Sequence, residues 1–412
     1  MNEDFIIPKL RSDINIEFFY DNNIEFALLT DPDGYSAQPL AIPSSFLKIL
    51  DLIDGTQTFD ALLKNIKAHL KVEFEPHLLI EILNEFNERS FLESPNFYFL
   101  KYQVDYYKSI PVRPEVCAGL SYPQDVSECE LKLEQILSSV QEKEINPNAR
   151  FMVVPHIDFS IGKISHEAYA SAYHSIKNCD ADLFVIFGTS HFGNSDIFML
   201  SEKDFKTPLG ITRTDKNIIN ELKETLDDQL TIDELAHRYE HSIELQVVLL
   251  QYLFKNREFT ILPVLTGSLQ GNIISKTQPN KENKFYHFIN ALKNAIKNQN
   301  KKAFFIASAD LAHIGRKFQD NFDAEPILPQ LKLEDELLID HLLKCDSEAF
   351  FNTIANDNDK RKICGLAPIY TLLESQKTDN GEVPYKGKLL KYHQWNEVET
   401  RSAVSFTSIA YY

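Results

Sequence analysis

FMVVPHIDFSIGKISHEAYASAYHSIKNCDADLFVIFGTSH, residues 151–191, decides the fold. Phe151–Pro155 and Leu183–Phe187 are short apolar runs of the length a buried strand needs, and Ile164–Ile176 between them carries helical spacing. The alternation continues downstream. Strands are expected at Phe259–Leu265, Ala303–Ala307 and Ser402–Ala410, and helices at Lys216–Thr225, Ser242–Phe254, Lys284–Lys297, Glu334–Leu343 and Leu366–Ser375. Strands alternating with helices imply an α/β fold, a central sheet with helices on both faces. Connections between the later strands are less regular, which predicts a mixed sheet.

Upstream the pattern changes. Phe26–Leu29 is a short apolar run, followed after Thr30 by the turn signal Asp31-Pro32-Asp33-Gly34. Helical spacing then runs through Phe46, Leu47, Leu50 and Ile53. It resumes behind Thr58 as N-cap through Leu62, Leu63, Ile66 and Leu70, and again through Leu78, Leu79, Ile82, Leu83 and Phe86. Three short helices beside small strands predict a separate α+β, winged-helix-like domain over residues 1–100. Pro111, Pro114 and Pro123 restrict the backbone of residues 101–125, read as a connector, and the α/β domain is expected over 126–412.

Composition narrows the function. The 412 residues include 42 basic and 60 acidic side chains, a net charge of −18, and 43% are hydrophobic. Packed cores are therefore expected, not disorder. The negative balance argues against nucleic acid as a partner, because phosphate-backbone binding rests on a concentrated positive field, and against an anionic membrane surface. No apolar stretch approaches the roughly 18 residues of a spanning helix. Met1–Lys9 carries Glu3 and Asp4 without an apolar core, so no signal peptide is expected there. Five scattered cysteines (Cys117, Cys129, Cys179, Cys345, Cys364), none spaced as a metal knuckle, read as reduced thiols of a cytoplasmic protein.

Histidines follow the strand ends. His156 comes directly after Val153-Val154-Pro155, His191 after Phe187-Gly188-Thr189-Ser190, and His313 a few residues past the strand ending at Ala307. His241 lies where a helix is expected to start. In open α/β sheets the carboxyl ends of the strands border the ligand crevice, so groups far apart in sequence converge there. A single strand-end histidine commonly does no more than satisfy a backbone group; three in one chain point to a shared site. Convergent neutral imidazoles suit iron, copper or zinc. Asp158, Asp310, Glu240 and Glu244 are the carboxylates near enough to ligate or to orient a ring.

The motifs PVRPEVCAGLSYP (Pro111–Pro123), PHIDFSIGKISHEAYASAY (Pro155–Tyr173), FGTSHFG (Phe187–Gly193), FKTPLG (Phe205–Gly210), EHSIELQ (Glu240–Gln246), ILPVLTGSL (Ile261–Leu269), SADLAHIG (Ser308–Gly315) and ICGLAPI (Ile363–Ile369) resemble the Memo family in order and spacing. DPDGYSAQPLAIP (Asp31–Pro43) and LIDGTQTFDALL (Leu52–Leu63) look like the extension of bacterial Memo-like proteins called AmmeMemoRadiSam system protein B, and Leu52–Leu92 also looks like a PqqD-type winged-helix fold.

The resemblance implies a core similar to class III extradiol dioxygenases, in which two His and one Glu hold Fe(II) and a further His is the acid/base. It makes His156 and His191 metal ligands and His313 a catalytic acid/base, with His241 positioning or polarising substrate. Asp158, Ser190, Glu244 and Asp310 are expected to contact substrate. Iron or copper is the implied cofactor. Animal Memo proteins carry a metal-binding Cys where this chain has Ala312, so a replacement third ligand is required, with Asp310, His241 or Cys364 available. AMMECR-domain and radical SAM proteins are the implied partners, with a peptide as a further ligand. Two functions follow: a metal-dependent, dioxygenase-like oxidoreductase, or a non-catalytic peptide- or protein-binding scaffold.

Overall fold

A computed structural model describes residues 5–36, 39–71, 73–193 and 196–412. Met1–Asp4, Ala37-Gln38 within the Asp31–Pro43 motif and the side chain of Leu70 lie outside the described residues. The chain divides into two compact units, Met1–Ile110 and Pro111–Tyr412. The division falls inside the stretch read as a connector. That stretch is itself structured: a helix, Pro95–Ser109, begins at the cap Ser94, and the short strand Val112–Arg113 follows Pro111.

In the first unit, strands β1 (Asn15–Asp21), β2 (Ile24–Thr30) and β3 (Leu40–Pro43) form an antiparallel sheet in that order. The expected cap is present: the Thr58 hydroxyl accepts the Ala61 N–H at the start of the helix Phe59–Leu70. Leu62 and Ile66 of that helix and Leu79, Leu83 and Phe86 of the helix Pro76–Glu88 bury against Ala27, Leu29, Ile49 and Ile53. β1 is exposed along its whole length.

In the second unit the strands are β4 (Val112–Arg113), β5 (Phe151–Val154), β6 (Leu183–Thr189), β7 (Phe198–Leu200), β8 (Asp204–Thr207), β9 (Gly210–Thr214), β10 (Thr231–Ile232), β11 (Thr260–Thr266), β12 (Ala303–Ser308), β13 (His313–Gly315), β14 (Gly387–Glu397) and β15 (Ser402–Tyr411). The main path runs β13-β15-β5-β12-β6-β11-β9-β8-β4, with β5, β12, β6 and β11 parallel and β15 antiparallel to β5. The sheet is mixed, as the irregular later connections predict.

Alternation along the buried strands explains the layers. Leu183, Val185 and Phe187 of β6 face the core shared with the helices Lys216–Leu226, Asn283–Asn298, Leu328–Leu343 and Leu366–Ser375. Phe184 and Ile186 face the opposite core, shared with Val126–Leu137, Lys163–His174 and Glu244–Leu253. Four adjacent parallel strands therefore end on the same edge, and that edge carries the site. Among the described residues no helix is long and apolar enough to cross a membrane.

Candidate metal centre

His156 lies two residues past β5, His191 two past β6, and His241 three before the helix Glu244–Leu253. Their ring centroids are 5.1 Å apart for His156 and His191, 5.3 Å for His156 and His241, and 4.8 Å for His191 and His241.

His156 is buried. Its main-chain N–H donates to Asp310 Oδ1 at 3.1 Å, and its Nδ1–H donates to the carbonyl of Ser308, the last residue of β12, at 3.0 Å. The second bond selects the tautomer with its lone pair on Nε2. That nitrogen lies 3.5 Å from Cys364 Sγ and 3.6 Å from Asp310 Oδ2. Burial, and then the His191 and His241 charges, hold the His156 pKa well below 6.5, so the ring is neutral.

His191 is fixed by a carboxylate instead. Glu240 accepts its main-chain N–H at 2.7 Å and its Nδ1–H at 3.0 Å, which leaves Nε2 as the free lone pair. The same carboxylate accepts the Ser242 N–H at 3.0 Å and lies 3.3 Å from His241 Nδ1. Burial opposes charge on His191, but Glu240 outweighs it and raises the pKa. Burial likewise opposes ionised Glu240, and its bonds to His191 with the His191 and His241 charges overcome it, holding the carboxyl below the usual range.

Cys364 completes the set. Its Sγ and one nitrogen each of His156 and His191 all lie within 4.8 Å of one another. The loop holding it passes close behind: Gly365 N–H donates to the Asp310 carbonyl at 3.0 Å, and a Cβ on Gly365 would fall 2.2 Å from that oxygen, so only glycine permits the approach. Thr189 Oγ1–H donates to the Cys364 carbonyl at 3.1 Å. Burial, then Asp310, raises the thiol pKa well above 9, so a metal entering here displaces a proton from sulfur. Two imidazole lone pairs and one sulfur fit a borderline or soft transition metal.

The other expected site residues separate into those that reach this centre and those spent elsewhere. Asp310 borders it, but Oδ1 is taken by the His156 N–H, and burial pushes its pKa up to about 7. His241 groups with His191 and Glu240, and His313 with Asp310 and Cys364, in two further potential ligand sets. The His313 Nδ1–H donates to the Leu311 carbonyl at 3.1 Å, and burial pushes its pKa down to about 4. Ser190 Oγ–H closes its own turn on the Gly193 carbonyl at 2.6 Å. Asp158 accepts the Ser121 hydroxyl and, at 2.6 Å, the Ser160 N–H of the turn Phe159–Ile161.

Glu244 is turned to Arg113 instead of to the imidazoles. Its carboxylate is fully buried, pairs with Arg113 Nη1 at 2.5 Å and accepts the N–H groups of Val116 and Cys117 and the Tyr122 hydroxyl. The helix begins at Glu244, three residues past His241. Its partner Arg113 went unseen in the proline-rich stretch read as a connector. Fully buried, Arg113 donates to the carbonyls of His237 at 2.7 Å and Glu240 at 2.6 Å, bracing the loop that carries Glu240 and His241.

Residues 113–410 match the sequence profile of Memo-like proteins. The chain belongs to the Memo-like family. A MEMO1 family protein of Aquifex aeolicus is 30% identical over 394 residues, covering 93% of this chain and 96% of its own length. Another, from Methanosarcina barkeri, is 27% identical over 301 residues, 72% of this chain and 99% of its own. In this Memo-like chain Ala312 is wholly buried, its N–H bonded to Ser405 Oγ at 3.0 Å, and it offers no metal donor.

Proposed function

We propose that this Memo-family chain binds iron or copper through His156 Nε2, His191 Nε2 and Cys364 Sγ, and that the loaded centre acts as a metal-dependent, dioxygenase-like oxidoreductase on a small molecule or peptide. One observation carries the reading. Both histidines spend Nδ1 on a fixed acceptor, so both lone pairs belong to Nε2, and one sulfur lies beside them. Sulfur here replaces the Glu of the dioxygenase set, and a thiolate beside imidazoles favours copper or iron over magnesium or calcium. The bound metal would supply a redox couple and open positions for substrate. Burial lowers the His241 pKa, and with Nδ1 facing Glu240 its Nε2 is the atom to take a proton from a substrate hydroxyl. Five free thiols fit work in a reducing cytoplasm. The test is the iron and copper content of untagged protein. The parent should carry metal and His156→Ala/His191→Ala none; equal content in both would defeat the reading.

A second reading, docking of a peptide or of AMMECR-domain or radical SAM partners on the first unit, is favoured by a separate feature. A cavity of about 260 Å³ lies beside β3, lined by Leu40, Ile42, Phe46, Ile49, Ile82 and Phe86. β3 pairs only with β2 among the described residues, so its outer edge can accept an extended segment. Ile82→Asp should abolish co-purification with such a partner; unchanged association would remove this reading.

A further inference from the structure

Cys364 reaches the metal centre from a loop whose course is costly. Asn358, Asp359 and Lys362 all adopt left-handed backbone, with φ of 57°, 51° and 52°. Such a path persists only where surrounding contacts over-determine it. Here they converge on Arg361, which is 5% exposed. Its Nη1 lies 3.2 Å from the fully buried Asp335 carboxylate, and its Nε lies 3.3 Å from Glu334 and 3.8 Å from Asp357. Asp335 is held in turn by the Tyr392 hydroxyl of β14 at 2.9 Å. The main chain of the same residue serves the other side: the Arg361 carbonyl accepts the His313 N–H at 2.7 Å. Flanking contacts continue the anchoring, with Asp359 Oδ1 accepting the Ile363 N–H at 2.8 Å and Lys362 pairing with Asp320 at 2.7 Å.

We infer that Arg361 is a positioning residue that acts through Cys364: its buried ion pair with the helix Leu328–Leu343 fixes the Asp357–Gly365 loop so that the thiol lies beside His156 Nε2. The inference rests on the reading of Cys364 as a ligand.

The probe is cobalt(II) alone, added to the full-length protein, with the thiolate-to-metal absorption band and the cobalt affinity as readouts. Arg361→Met/Asp335→Leu removes both buried charges together and leaves neither uncompensated, which preserves folding better than loss of one. The expected result is loss of most of the band and a fall of about 10–100-fold in cobalt affinity, the range set by groups that support a ligand. In the metal-free protein on a Cys179→Ser background, Cys364 should react at least about tenfold faster with a thiol reagent, since a side chain freed from burial also regains thiolate character. Arg361→Lys keeps a cation beside Asp335 and serves if the double variant does not fold; its band should lie between parent and Cys364→Ser. A folded Arg361 variant with the parental band, affinity and thiol reactivity would overturn the inference and leave the metal site standing. If instead Cys364→Ser retains the parental band, the ligand reading itself falls, and this inference with it.

Discussion

His156 and His191 come to the site from the ends of parallel strands, whereas Cys364 comes from a loop and His313 opens the short antiparallel strand β13, and the strand side and the loop side solve different problems. On the strand side the sheet sets position, and one acceptor per ring, the Ser308 carbonyl or the Glu240 carboxylate, turns Nε2 inward. On the loop side position has to be built from ion pairs and left-handed residues. His313 shares the strand-end context of the other two, yet its Nδ1 is spent on the Leu311 carbonyl, its ring packs on Phe318 with centroids 5.0 Å apart, and it groups with Asp310 and Cys364 instead of His156 and His191. Delivery to the sheet edge thus decides where a side chain is. Its hydrogen-bond partner decides what it can do.

That contrast can be broken by substitution. The largest effect belongs to the strand side: His156→Ala or His191→Ala removes one of two nitrogen donors, and metal titration should find no tight site. Next comes Cys364→Ser, which should abolish the thiolate band. Because burial holds the thiol protonated, binding to the parent should release that proton, which alone strengthens binding about tenfold per pH unit; the sign follows from a pKa raised above 9, and the serine variant should lose this part of the slope and keep the part due to His191, whose pKa Glu240 raises. Titrations at two pH values check both. Glu240→Gln keeps the shape but removes the charge that orients His191, and should cost about 10–100-fold in affinity. Smallest for the metal is Glu244→Gln, whose partner is Arg113. It should leave the affinity of folded protein nearly unchanged while lowering stability by about 3 kcal/mol, the cost of stranding a buried cation, measured by denaturant unfolding.

Much of the α/β unit was legible because buried parallel strands read as short apolar runs: Phe151–Pro155 became β5, and Leu183–Phe187 became the first five residues of β6. The positions of His156 and His191 followed from those runs. Cys364 could be named only as one of three possible third ligands, since its nearness to His156 depends on a loop path that no periodicity encodes. Glu240 and Glu244 show the same limit. They are four residues apart, but the helix starts between them, so one carboxylate faces the imidazoles and the other goes to Arg113. Pro95–Ser109 was hidden for another reason: Tyr98, Phe99, Tyr102 and Tyr106 are exposed aromatics, so the helix shows no apolar stripe to set it apart from the connector.

An anomalous-scattering map from crystals of the metal-loaded protein, recorded at the iron and copper edges, tests the central claim most directly. The account predicts one strong peak within bonding distance of His156 Nε2, His191 Nε2 and Cys364 Sγ together. A peak on the far side of His191, between Glu240 and His241, or no peak at either edge, would contradict it.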